Sequence, residues 1–229
     1  MCSVLNVTKQ NTEEKFADEM GSKGLIRLMV VPNQVAGLNY TTTPALELAD
    51  VPDAPLCKPT QVDPFVECVT NALRWTRANS TTIRGFSGAG WFTGAAVLKA
   101  AIASKSADAS VPLGLLRSSW GGTRVEEWSG PSAIAACPPQ TGAGSGVSTL
   151  WANMIMPFRG LSFRAYTYYQ GESNVGADAP CTGAKYYSCA LPAMLRDLRQ
   201  ALDLPKLPIM GGARGVLQRA GFRDVPHMV

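Results

Sequence analysis

The chain has 229 residues, 46% of them apolar and 17% charged, with a formal charge of +4. That length and balance suit one ordinary globular domain and exclude an intrinsically disordered chain. Lys and Arg are scattered and never form a run of five, so neither a nucleic-acid partner nor a basic membrane patch is indicated.

No uninterrupted apolar run approaches the roughly 18 residues that span a bilayer, so no membrane span is expected. The first residues, M-C-S-V-L-N-V-T-K-Q, lack the apolar core of a secretory signal. Even so, the six cysteines (Cys2, Cys57, Cys68, Cys137, Cys181, Cys189) are even in number and none sits in a C-x-x-C metal or redox spacing. Three N-x-S/T sequons, at Asn6, Asn39 and Asn79, point the same way, to an oxidising, secretory setting. A signal peptide absent from this chain then leads to the expectation that its N-terminus is incomplete.

In chain order, Gly24 to Val31 (G-L-I-R-L-M-V-V) reads as a strand. Positions 32 to 64 carry prolines and polar clusters with no sustained period, the pattern of a long surface excursion. Trp91, Ala95, Leu98 and Ile102 recur at helical spacing. Pro112 to Arg117 is a compact apolar run that reads as a buried strand, ending at S-S-W-G-G-T. Pro131 to Gly146 reads as a loop, and Leu150 to Met156 as a helix stopped by Pro157. Phe163 to Tyr169 (F-R-A-Y-T-Y-Y) is an aromatic strand that ends at Q-G-E-S-N. Leu191, Met194, Leu195, Leu198 and Leu202 form one helical face, with Arg196, Asp197, Arg199 and Gln200 on the other. A last strand near Leu207 to Met210 runs into G-G-A-R-G. Strands alternating with helices predict a single α/β domain over residues 1 to 229 with a mainly parallel sheet, whose sites lie beyond the carboxyl ends of the strands.

Two polar turns occupy those ends. Gly121 and Gly122 allow a ligand to approach the backbone closely, and their N–H groups are of the kind a tetrahedral oxyanion needs. On that motif alone a simple tight turn explains them better. In the second turn, Gln170 and Asn174 carry amide donors, while Glu172 is a base or an acceptor that holds the turn. G-F-S-G-A at Gly85 to Ala89 misses the G-x-S-x-G elbow at its last position. G-A-G-W-F-T-G at Gly88 to Gly94 overshoots the dinucleotide fingerprint. A single histidine cannot supply a multi-histidine metal site. No cofactor and no metal are expected.

Taken together, P-L-G-L-L-R-S-S-W-G-G-T-R-V-E-E-W-S, L-W-A-N-M-I-M-P, Y-Y-Q-G-E-S-N and Y-Y-S-C-A-L-P-A-M-L-R-D-L-R resemble the sialate O-acetylesterase family of the GDSL/SGNH hydrolase group. The resemblance implies a flavodoxin-like three-layer α/β/α fold, here incomplete. It implies removal of O-acetyl groups from sialic acids or related sugars through a serine acyl-enzyme, and a secreted or lysosomal setting. Gly121 or Gly122 would supply a backbone oxyanion donor and Gln170 or Asn174 a side-chain one, with Glu172 holding the turn. The family's usual Trp stands as Tyr168 here and its usual Pro as Arg124. Its nucleophile is the Ser of a G-Q-S-N-M block, and Met1 resembles the final Met of that block, which places the nucleophile upstream of this chain. A serine nucleophile needs an imidazole base oriented by a carboxylate. Asp224 and His227 have the group's D-x-x-H spacing, but follow the Q-G-E-S-N turn sooner than the resemblance leads one to expect. R-D-V-P-H-M-V also reads as the strand before the true block. The alternatives are a catalytically inactive carbohydrate-binding relative or fragment, and an acetyl esterase acting on plant polysaccharide.

Overall fold

The computed structural model describes residues 7–31, 75–139, 147–175 and 182–211. The excursion at 32–64, four of the cysteines, the sequons at Asn6 and Asn39, and the Asp224–His227 pair lie outside the described residues. Those described fall into two compact units that divide between Ser119 and Trp120.

In the first unit, helix α1 (Val7–Ser22) leads into strand β1 (Ile26–Val30). Gly24, at φ +71, makes the reversal. Its N–H donates to Gly21 O at 2.9 Å and the Leu25 N–H to Met20 O at 2.8 Å, the paired bonds of a Schellman cap. β1 pairs antiparallel with the short β2 (Thr76–Arg77) and parallel with β3 (Leu113–Arg117), from Ile26↔Leu113 to Val30↔Arg117. Helix α2 (Gly88–Ala103) begins at Ser87, whose Oγ accepts from the Gly90 N–H at 3.2 Å. It buries Trp91, Gly94, Ala95 and Leu98 against a core that includes Ala17, Met20, Ile26, Leu28 and Phe86. Gly94 permits this contact, since a Cβ there would lie 2.5 Å from the Leu115 side chain. Glu13 ties α1 to α2 by accepting from Trp91 Nε1 at 2.9 Å and Lys99 Nζ at 2.6 Å. Ile102, fourth in the predicted helical stripe, is exposed.

The second unit holds helix α3 (Pro131–Ala136), strand β4 (Tyr166–Tyr168), the single turn α4 (Glu172–Val175), helix α5 (Thr182–Ala201) and strand β5 (Ile209–Gly211). β4 and β5 run parallel, from Tyr166↔Ile209 to Tyr168↔Gly211. α5 contributes the largest buried side chains, among them Tyr187, Leu191, Met194, Leu195 and Leu198. Burying each such Leu or Met stabilises the unit by about 1.5–3 kcal/mol. A disulfide joins Cys137, which follows α3, to Cys189 on α5, one pair among those the sequence left open.

Parallel pairing and strand–helix alternation agree with the α/β expectation, and the described strands form two sheets. Four details depart from it. α3 lies inside the predicted loop, started by Pro131 at its first position, where no N–H is needed. The segment expected to stop at Pro157 is a π-helical turn, Trp151–Ile155, continuing into a 3-10 turn, Met156–Phe158, that takes the proline in its first positions. β3 is half-buried rather than buried. Asp197, assigned to the solvent face of α5, is buried. Its Oδ2 accepts from the Ala133 N–H at 2.9 Å, so it caps a helix whose own N-cap, Gly130, has no side chain to do so.

At Gly21 a Cβ would come within 1.7 Å of the Ala78 carbonyl oxygen, and backbone cannot give way as a flexible side chain does. Gly21→Ala is expected to destabilise the protein by about 2 kcal/mol or more, read as a lower urea midpoint at unchanged slope.

Candidate functional site

The predicted turns lie at the ends of β3 and β4. The first is held from within the second unit: Thr123 Oγ1 donates to Trp120 O at 2.7 Å and accepts from Trp128 Nε1 at 2.9 Å. Gly121 and Gly122 stand exposed at its tip. Gly122 is at φ +77, and a Cβ on either glycine would meet nothing within 4 Å, so the backbone there is open to approach. A 3-10 turn, Val125–Trp128, follows and directs Glu126 inward. The Arg124 N–H donates to Glu127 Oε1 at 2.8 Å, a bond that a proline at this position would lack.

The second turn opens after Tyr168. Gly171, at φ +143, packs so closely on Tyr187 that a Cβ would lie 3.2 Å from its hydroxyl. Glu172 is exposed at the start of α4. Gln170 and Asn174 turn toward the first turn. Asn174 Oδ1 accepts from the Val125 N–H at 2.9 Å and from Gln170 Nε2 at 2.9 Å, and Asn174 Nδ2 donates to Glu126 Oε2 at 2.9 Å. Gln170 Nε2 also donates to Thr123 O at 3.1 Å. Tyr168 donates to Gln170 Oε1 at 2.8 Å, and Tyr187 to Gln170 O at 2.8 Å. The two tyrosine oxygens stand 3.2 Å apart.

Chemistry fixes the sense of this chain. A carboxylate only accepts, so Asn174 must face Glu126 with its nitrogen and offer its oxygen to Val125 and Gln170. Glu126 and Asn174 are each 5% exposed, where an unpaired polar group costs about 1–3 kcal/mol. Both hydrogens of the Gln170 amide are engaged, whereas Asn174 Nδ2 makes one bond among the described residues and keeps a further hydrogen. Burial pushes the Tyr187 hydroxyl up to about 12 and raises Tyr168 as well, the latter reinforced by its neighbour Tyr187. Both therefore remain neutral donors over any physiological pH.

The structure thus brings together Gly121, Gly122, Gln170 and Asn174 from the predicted set, with Glu172 at the rim of the same turns. Asp224 and His227 lie outside the described residues. Glu126, Tyr168 and Tyr187 had no role legible in the sequence. Only the inward phase of Glu126 beside Val125, against the outward Glu127, could have marked it. No group of three or more His, Cys, Asp or Glu suited to a metal occurs among the described residues. Nor is any described helix long and apolar enough to cross a membrane.

Comparison with known proteins adds the wider context. Residues 53–224 match the family model of a carbohydrate esterase, sialic acid-specific acetylesterase, and both turns fall within the match. Sialate O-acetylesterase of Homo sapiens is 36% identical over 98 residues, and that of Rattus norvegicus 28% identical over 125. Each alignment takes in 39% of this chain, but only 18% and 22% of the two relatives, so the chain spans a small part of their length. The crystal structure of a novel carbohydrate acetylesterase from Xanthomonas citri superposes with a TM-score of 0.56 at 21% identity, over 88% of this chain and 35% of that one. That is a likeness of fold.

Asn174→Asp would set a second carboxylate against Glu126 in the buried contact. It is expected to cost about 3 kcal/mol or more, with at least half recovered when Glu126→Gln is added, read from urea midpoints of the double-mutant cycle. Tyr187 gives a second outcome. Its folded pKa lies near 12 against 10 for the free side chain, so the unfolded chain ionises first and stability falls as pH rises from 10 to 12. The loss approaches about 2–3 kcal/mol, and in Tyr187→Phe the decline over that window should be correspondingly smaller.

Proposed function

This chain belongs to the carbohydrate esterase family of sialic acid-specific acetylesterases, and on that premise we propose that it forms part of an ester hydrolase removing O-acetyl groups from sialic acids or related sugars. One observation carries the assignment. The open Gly121–Gly122 backbone and the amide-bearing Gln170–Asn174 turn are locked together by Asn174 and Gln170, which gives a rigid set of donors beyond the strand ends.

In the reaction proposed, a serine oxygen attacks the acetyl carbonyl and an imidazole takes its proton. A tetrahedral oxyanion forms, the sugar hydroxyl leaves, and water hydrolyses the acetyl-enzyme. The Gly121 or Gly122 N–H would meet the oxyanion as charge develops, which is worth most when the donor is already in place. Asn174, with one Nδ2 hydrogen beyond its bond to Glu126, would be the side-chain donor. Gln170, with both amide hydrogens engaged, would position the turns. Glu172 would hold its turn from the rim, while Asp224 and His227 are the candidates this chain offers for the orienting carboxylate and the base, with their early position after the Q-G-E-S-N turn counting against them. Trp120 and Tyr169, 41% and 67% exposed beside the turns, offer apolar faces to a sugar ring. A single flavodoxin-like three-layer domain of the SGNH kind and a secreted or lysosomal glycoprotein complete the proposal, the latter supported by the Cys137–Cys189 disulfide.

The test is acetate release by the natural gene product from O-acetylated sialic acid, with acetylated xylan as the competing substrate. Fluorophosphonate-sensitive turnover on the sialic acid is expected, and Gly122→Val should lower kcat by roughly 10-fold or more. Preference for xylan would reassign the sugar. Sugar binding without turnover would mark an inactive carbohydrate-binding relative.

A further inference from the structure

The turn that follows β2 has no part in the site above, yet its first residue is set up for a specific modification. Asn79 opens the sequon Asn79-Ser80-Thr81. Its Oδ1 accepts from the Thr81 N–H at 2.9 Å and the Thr82 N–H at 2.8 Å, an Asx turn that caps the 3-10 turn Thr82–Gly85. The backbone of the same turn is held elsewhere: the Asn79 N–H donates to Thr82 Oγ1 at 2.8 Å, and the Ser80 N–H to Asp18 Oδ1 at 2.7 Å. The oxygen of the Asn79 amide is therefore fully used. Its nitrogen is not fully buried and makes no hydrogen bond among the described residues. Asn79 itself is half-buried, and Thr81 is exposed.

We propose that Asn79 is an N-glycosylation acceptor whose Nδ2 carries an oligosaccharide in the mature protein. The donor is a lipid pyrophosphate-linked oligosaccharide. Asn79 Nδ2 forms a bond to the anomeric carbon, the bond from that carbon to the pyrophosphate oxygen breaks, and the lipid pyrophosphate leaves with the electron pair. One amide proton passes to a base of the transferase. Transfer takes place on the chain as it enters the lumen, so the folded state has to accommodate the product. It can do so here, because a substituted amide keeps the carbonyl oxygen on which both turn bonds depend, and the substituted nitrogen is not fully buried. Asn6 and Asn39 lie outside the described residues and carry no such argument. The inference rests on the secretory setting proposed above and not on the esterase chemistry.

The full chain, fused behind a secretion leader and followed by a tag bearing a sequon of its own, would be translated into microsomes. Only molecules glycosylated on the tag would be scored, so failure to enter the lumen cannot be taken for failure of Asn79. Trypsin releases residues 78–84, A-N-S-T-T-I-R, as one peptide. After peptide-N-glycosidase treatment, position 79 is expected to read as Asp, and untreated chains should lose one glycan's gel shift in both Thr81→Ala and Asn79→Asp. Thr81→Ala keeps Asn79 and both of its turn bonds to backbone N–H groups, so its loss of the shift reports the modification and not a damaged turn. An unmodified 78–84 peptide in tag-glycosylated chains, or a Thr81→Ala chain that migrates with the wild type, would overturn the proposal. Detection of the glycan in chains that show no acetyl-ester hydrolysis would leave it standing while the esterase reading failed.

Discussion

A primary amide buried away from water must place one oxygen and two hydrogens, and each unmet group costs about 1–3 kcal/mol. Asn174 meets all but one hydrogen of this demand with three partners: its oxygen accepts from the Val125 N–H and the Gln170 side chain, and one hydrogen goes to the Glu126 carboxylate. Two of these belong to the segment after β3 and one to the turn after β4. A single side chain therefore holds two loops in register, and the exposed Gly121–Gly122 tip inherits its position from that bond set. Remove the constraint, and two strand-end loops would each be free to choose their own path.

The surrounding residues make the arrangement one-directional. Glu126 can only accept and the Val125 N–H can only donate, so Asn174 has one satisfactory orientation. Gln170 then has one as well, completed by the hydroxyl of Tyr168. Tyrosines whose ionisation is pushed upward by burial keep their hydrogens under all ordinary conditions, which suits them to this role. The family's usual tryptophan at position 168 would also present a ring N–H, so a donor at this point is compatible with either residue. Arg124 in place of the usual proline keeps a backbone N–H that closes on Glu127. For an ester hydrolase, such rigidity has direct value: donors fixed before charge develops need no reorganisation at the moment of reaction.

Support from outside the site follows the same logic of meeting groups that local structure leaves unmet. α3 begins at glycine and proline, neither of which can cap it, and Asp197 of α5 supplies the missing acceptor. The disulfide between Cys137 and Cys189 closes the other end of the same helix pair. In the first unit Glu13 accepts from both Trp91 and Lys99, fixing α1 on α2 through a half-buried carboxylate.

Apolar periodicity alone located β1, α2, β3, β4, α5 and β5, because each has a face that must leave water and the spacing of that face follows from the element's geometry. It also located both candidate turns, since glycines and amides at strand ends break the period abruptly. It missed α1, whose inward residues are few among many polar ones, and α3, whose proline start was masked by a small-residue composition. The sequence could not say which interior polar atoms meet. Asn174 and Glu126 lie 48 positions apart, and nothing in either neighbourhood names the other. Asp197 reads as solvent-facing from its helical phase and is buried because another helix needs an acceptor there. Those pairings arise only when the elements pack, for periodicity records which side of an element is dry, while hydrogen-bond partnership depends on what the packing brings to that side.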